Sequence, residues 1–251
     1  MAIQFKIKKI GDASIIYDDS IITEPSLQLF DADYHTKRDS QQKRSVTPNN
    51  SSPGEGIGRA KVVYFPFENM TFVLKHYYRG GLVASIIKDK YFGFTVEKTR
   101  AFKEWCLLKT MKNLELPVPN AIAAHVKQGV LFYRADLITQ KIENTKTLAD
   151  VLFEETIDVA QWKKVGSCIK RFHDNNIYHA DLNARNILLT ATGDVYLIDF
   201  DNSYFRTDSK SWKMANLSRL KRSLLKFKNG ESAFNFDESD WVSLLRGYDA
   251  V

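Results

Sequence analysis

His179-Ala180-Asp181-Leu182-Asn183-Ala184-Arg185-Asn186, followed thirteen residues after Asn186 by Asp199-Phe200-Asp201, is the stretch that decides the reading. Between the two clusters, Ile187-Leu188-Leu189 and Val195-Tyr196-Leu197-Ile198 are apolar runs of strand character around a Thr192-Gly193-Asp194 turn. A hairpin built from them starts at Asn186 and ends at Asp199, so its open mouth gathers a carboxamide and a carboxylate beside Asp181. Hard cations such as Mg²⁺ prefer oxygen donors of this kind and fill their other positions with water and phosphate oxygens. Asp181, placed nearby but not needed as a ligand, can accept a proton from a hydroxyl nucleophile. The bland alternative is a polar loop whose Asp and Asn cap turns. An ordered set of polar residues against two apolar strands weighs against it.

This spacing resembles the catalytic loop and metal motif of the protein-kinase-like superfamily, which implies Asp181 as catalytic base and Asn186 and Asp199 as Mg²⁺ ligands. His179 then reads as structural, bonding backbone near Asp199. The resemblance also implies upstream parts, and candidates stand in the right order. Val73-Leu74-Lys75 ends an apolar run on a lysine that would meet ATP phosphates. Glu104, in Phe102-Lys103-Glu104-Trp105-Cys106-Leu107-Leu108, would hold that lysine; Glu97 is a rival. Gly56 and Gly58, in Gly54-Glu55-Gly56-Ile57-Gly58, are candidates for a phosphate flap, because glycine lets backbone N–H groups approach phosphate closely. The same run reads equally as a flexible linker. Backbone groups of Gln140 and Ile142 fall where such enzymes bind adenine.

Working outward, the 251 residues are 44% hydrophobic and 26% charged, the composition of an ordinary globular protein. A net charge of +6 permits an anionic partner without demanding one. Two distant cysteines, Cys106 and Cys168, make neither a disulfide framework nor a zinc motif and suggest a reducing compartment. The N-terminal residues lack the apolar run of a secretory leader, and no stretch is apolar enough to span a membrane.

Strand character is expected at Ser14–Tyr17, Val62–Phe65 and Thr71–Leu74, with Pro66–Asn69 as a turn, and in a hairpin pairing 130–133 with 136–139. Helices are expected over Thr95–Leu114, Leu148–Phe153 and Val159–Asn175, and the C-terminal part reads as helical and basic. From His35 to Gly58 the sequence is polar, with little to bury, and reads as a mobile loop or linker. The expected fold is α+β and bilobal: a β-rich nucleotide-binding lobe over 1–142, with a flexible insert at about 36–56, and a reduced helical lobe over 143–251.

Eukaryotic-type protein kinases usually carry Arg where Ala180 stands and Gly where Asp201 stands, followed by a long activation segment and a full helical lobe. Only fifty residues follow Asp201 here, so the acceptor is expected to be small or lipid-linked. Lys75-His76-Tyr77-Tyr78-Arg79-Gly80-Gly81-Leu82, Leu116-Pro117-Val118-Pro119, Tyr133-Arg134-Ala135-Asp136-Leu137, Tyr178–Leu189, Leu197–Asp201 and Asn216-Leu217-Ser218-Arg219-Leu220 are similar to the Kdo (3-deoxy-D-manno-octulosonic acid) kinases of the lipopolysaccharide kinase family. The resemblance implies ATP- and Mg²⁺-dependent phosphorylation of the Kdo 4-hydroxyl on a lipid A precursor, at the cytoplasmic face of the inner membrane. Arg79 and Arg185 are candidates for binding the anionic acceptor.

From Lys210 to Lys228 there are seven basic residues and no acidic one, and Leu217, Leu220, Leu224 and Phe227 form one helical stripe. This segment could dock on an anionic membrane surface. A core-facing stripe with a solvated charged face explains it equally well. The alternatives for function are a lipopolysaccharide heptose kinase or other small-molecule kinase, and a non-catalytic pseudokinase scaffold. No nucleic-acid reading motif occurs, and no protein partner is inferred.

Overall fold

The computed structural model describes residues 5–43, 62–77, 95–129, 133–230 and 233–250. The chain divides into two compact units, Met1–Lys109 with Asn120–Lys141, and Thr110–Pro119 with Ile142–Val251. Residues 110–119, expected in the first unit, sort with the second. The reason is local: Leu197 N–H donates to the Pro117 carbonyl at 3.0 Å, and Arg171 Nη2 donates to the Glu115 carbonyl at 2.7 Å.

The first unit is built on an antiparallel sheet. β1 (Lys6–Ile10) and β2 (Ala13–Tyr17) form a hairpin whose turn holds Gly11 at φ +60°, a conformation glycine adopts without steric cost. β3 (Val62–Phe67) pairs with β4 (Met70–His76), which pairs with β6 (Tyr133–Gln140), which pairs with β5 (Ala121–Gln128); the full order is β1-β2-β5-β6-β4-β3. The β3–β4 turn is only Glu68-Asn69, because β3 is the sheet edge and an edge strand tolerates Pro66. β6 pairs with β4 on one side and β5 on the other; of the expected hairpin partner 130–133, Tyr133 is the first residue of β6 itself and 130–132 lie outside the described residues. Ala121-Ile122-Ala123-Ala124 has weak strand propensity, but all four residues are fully buried between β2 and β6, where small side chains fit.

The polar stretch expected as a loop from His35 is helical as far as Lys43, in α1 (Ala32–Lys43). Asp31 Oδ1 caps this helix by accepting the N–H groups of Asp33 and Tyr34. The His35 ring is buried, stacked 3.7 Å from the Phe65 ring. Strand alternation in β4 sends Phe72 and Leu74 into this core, with Ile15, Phe65, Ile122 and Ile138, and turns Lys75 to the other face. α2 (Arg100–Asn113) buries Ala101, Trp105, Leu108 and Met111 at helical spacing. It starts later than expected, because Val96–Lys98 forms a separate 3-10 turn.

The second unit contains α3 (Leu148–Glu154), capped by Thr147, and α4 (Val159–Asp174), capped by Asp158. A small sheet has the order β10-β9-β7, from β7 (Thr145–Thr147), β9 (Ile187–Thr190) and β10 (Val195–Leu197). β8 (Ile177–Tyr178) pairs with β11 (Tyr204–Phe205). α5 (Lys210–Gly230) and α6 (Glu238–Asp249) complete the unit. α4 and α6 touch through glycines: a Cβ on Gly166 would sit 2.0 Å from the Leu244 carbonyl oxygen, and one on Gly247 would sit 2.1 Å from that of Lys163.

The apolar stripe of α5 faces inward. Leu217, Leu220 and Leu224 are buried, and Phe227 packs edge-on against Phe153. Of its basic residues, Lys213 pairs with Asp208, Arg219 with Asp181 and Lys221 with Glu238, while Lys228 donates to the Phe236 carbonyl. Lys210, Arg222 and Lys226 make no ion pair among the described residues. No helix among the described residues is long and apolar enough to cross a membrane.

Candidate active site

Pairing in the β9–β10 hairpin runs one residue past the strands, since Ile198 N–H donates to the Asn186 carbonyl at 3.0 Å. Asn186 and Asp199 are thereby delivered to the same end of the hairpin. Asn186 is buried, and its Nδ2 donates to the Asp181 carbonyl at 2.9 Å, which orients the amide and leaves its oxygen as the atom for a ligand. Asp199 sits at φ +61°, a left-handed conformation that Asp and Asn tolerate better than most residues with a Cβ.

The loop carrying Asp181 is fixed by side chains on several elements. His179 is buried; its Nδ1 accepts the Asp181 N–H at 3.1 Å, so the proton resides on Nε2, which donates to the Ile198 carbonyl at 3.0 Å. One imidazole thus ties the Asp181 loop to the residue before Asp199. Its ring lies 4.6 Å from that of Phe200, which stacks in turn on Phe172 of α4. Behind it, Asn216 Nδ2 donates to the His179 carbonyl at 2.7 Å, and Asn216 Oδ1 accepts from His173 Nε2. His173 Nδ1 accepts from the Tyr248 hydroxyl at 2.8 Å. Burial pushes the His173 pKa down to about 4, so this relay is neutral. Ser203 and Ser223 hydroxyls accept the Ala180 and Ala184 N–H groups.

Asp181 itself meets a residue that the sequence does not single out. Arg219, on α5, donates from Nη2 at 2.7 Å and from Nε at 3.2 Å, both to Oδ1. Asn183 Nδ2 lies 3.2 Å from Oδ2. In the sequence Arg219 is legible as one of several basic residues in a helix and as part of the family-like run Asn216–Leu220, but nothing in the pattern links it to a carboxylate 38 positions away. Arg185 is exposed, with its guanidinium 5.2 Å from the centre of the Phe227 ring.

In the first unit, Lys75 Nζ lies 3.1 and 3.0 Å from the two oxygens of Glu104, which is only 4% exposed. The Tyr77 hydroxyl donates to the same carboxylate at 2.6 Å, and Lys75 Nζ stands 4.8 Å from the Tyr77 ring centre. A buried carboxylate needs such partners to offset its lost hydration. Nothing in the sequence pattern points to Tyr77 for this contact, because a tyrosine in a strand-like run carries no distinguishing signal. Glu97 stands apart, on the 3-10 turn before α2. The Gln140 N–H is taken by the Asn120 carbonyl at 2.9 Å, so it is the Gln140 carbonyl that would serve a ligand. The Ile142 carbonyl accepts from the Thr145 hydroxyl. Gly56, Gly58 and Arg79 lie outside the described residues.

The donor set suits Mg²⁺: an oriented amide oxygen and a carboxylate are hard oxygen ligands, and this ion takes few from protein. Among the described residues there is no cluster of three or more His, Cys, Asp or Glu side chains able to hold a metal.

Residues 43–248 match the lipopolysaccharide kinase (Kdo/WaaP) family. The 3-deoxy-D-manno-octulosonic acid kinase of Vibrio vulnificus is 32% identical over 243 residues, covering 97% of this chain and 98% of the relative. Its counterpart from Mannheimia succiniciproducens is 43% identical over 202 residues, covering 78% and 83%. Among solved structures, the Cydia pomonella granulovirus kinase PK-1 aligns with a TM-score of 0.41 at 17% identity, covering 68% of this chain and 56% of its own. The protein is a phosphotransferase with an alcohol group as acceptor, built of mixed helices and strands around an antiparallel sheet. The chain belongs to the lipopolysaccharide kinase family, which implies ATP as phosphoryl donor.

Proposed function

We propose that this chain transfers the γ-phosphoryl group of ATP to the 4-hydroxyl of a Kdo residue on a Kdo-lipid A precursor during lipopolysaccharide inner-core assembly. The observation that carries the reading is the hairpin mouth where Asn186 and Asp199 meet, with Asp181 held beside them by His179, in a chain matched along nearly its whole length by Kdo kinases.

Asp181 orients the acceptor hydroxyl and receives its proton as the phosphoryl group leaves ATP. Lys75, held by Glu104, neutralises phosphate oxygens, and the backbone at Gly56 and Gly58 supplies N–H donors to them. The Gln140 carbonyl and the backbone of Ile142 contact adenine. Asn186 Oδ1 and Asp199 would hold Mg²⁺, which would spread the charge that develops during transfer. Arg79 and Arg185 attract anionic groups of the glycolipid.

The protein acts as a peripheral protein at the cytoplasmic face of the inner membrane. With the leucine stripe of α5 buried, attraction to anionic lipid rests on charge, chiefly Lys210, Arg222 and Lys226. The test of the reaction is product analysis: phosphorus–proton correlation by NMR should place the new phosphate on Kdo C4. A phosphate on any other carbon or sugar would refute the assignment.

A further inference from the structure

Arg219 occupies a position that the proposed chemistry leaves unexplained. Its Nε and Nη2 groups both point at one oxygen of the proposed base, and the side chain is 44% exposed. A guanidinium carries five N–H donors, so Asp181 uses only part of its fork. Neighbouring residues Asn216, Leu217 and Leu220 are buried, which sets the group on a rigid helix rather than a loop. Arg185, the other arginine close to this loop, lies against the Phe227 ring instead.

We propose that Arg219 binds the carboxylate of the acceptor sugar while still bonded to Asp181, and so selects a sugar acid over a neutral sugar. The proposal rests on the reading that the acceptor is a 3-deoxy-ulosonic acid. In such a sugar the carboxylate is borne by C2 and the hydroxyl by C4, with only the deoxy carbon C3 between them. The hydroxyl must lie within hydrogen-bond reach of Asp181 to lose its proton. Arg219 is within hydrogen-bond reach of that same carboxylate, so its unused N–H groups border the place where the acceptor's own carboxylate falls. Arginine matches this geometry because its planar fork pairs bidentately with carboxylate, which a lysine cannot reproduce. A neutral heptose would leave those donors unanswered.

The test compares a Kdo-lipid A precursor with its C1 carboxamide, using the full chain and the variants Arg219→Gln and Arg219→Lys. Wild type should favour the carboxylate by at least about tenfold in kcat/KM, the worth of a hydrogen-bonded charge pair. Arg219→Gln should lose that preference, through acceptor KM, and Arg219→Lys should keep part of it, with the KM for ATP unchanged in both. If Arg219→Gln is too slow to assay, binding of the two acceptors to Asp181→Asn and to Asp181→Asn/Arg219→Gln reads the same preference. Discrimination that persists without Arg219 overturns the proposal while leaving the Kdo reading intact. A wild type that phosphorylates no Kdo acceptor removes both.

Discussion

Glu104 shows how much one side chain decides at the residue scale. It is a carboxylate out of water, satisfied by an ammonium and a phenol, and it holds Lys75 rigid. Glu104→Gln should cost about 3 kcal/mol in urea unfolding, in the range for breaking a buried pair, and should raise the KM for ATP. An unchanged KM would mean that Lys75 is positioned by other contacts. The order of Lys75 and Glu104 was legible in the sequence, since a lysine ending an apolar strand and a glutamate on the next helix form a one-dimensional pattern. Tyr77 and Arg219 were not, because their partners are set by tertiary packing.

His173 carries the pH dependence at this scale. Its pKa falls from an ordinary 6.5 to about 4 on folding, mainly through burial. The unfolded chain therefore binds the proton first as pH drops. Stability is fully present above about pH 6.5 and is lost as pH falls towards 4, by on the order of 3 kcal/mol. His173→Gln should flatten this part of the stability–pH curve. A wild-type curve that is flat between pH 4 and 6.5 would contradict the assignment.

At the scale of elements, α4 and α6 are held at a separation that only glycine allows. Gly166→Ala or Gly247→Ala forces a methyl group onto a backbone carbonyl, and each should lower stability by roughly 2–3 kcal/mol, seen as a drop in Tm. Either variant melting like wild type would show that the helices can separate at no cost. The β9–β10 hairpin was legible because two apolar runs flank a glycine turn, and α2 because its buried residues recur at helical spacing. β5 was not, since four small or buried residues in a row carry no alternation. The helical start of the polar stretch was hidden for the opposite reason: its one described buried ring, His35, sits among polar residues.

At the scale of the molecule, composition pointed to an ordinary globular chain with excess positive charge, and the two compact units follow from the order of strands and helices. The pattern could not say which face of the basic amphipathic helix was buried, because a core stripe and a membrane stripe look alike in sequence. With the leucines inside, binding to anionic vesicles should be weak and lost at high salt, since each exposed basic residue contributes about 1 kcal/mol. Replacing Lys210, Arg222 and Lys226 by Gln should abolish it in a sedimentation assay. Salt-resistant binding would instead require apolar insertion.

The central claim is tested most directly by transfer of labelled γ-phosphate from ATP. The acceptors are a Kdo-lipid A precursor, the same lipid lacking Kdo, and a heptose-bearing core, each with wild type, Asp181→Asn and Asp199→Asn. Label on the Kdo-terminated acceptor alone, abolished by either substitution, is the predicted result. Label on the heptose acceptor, or near-normal transfer by either variant, would contradict it.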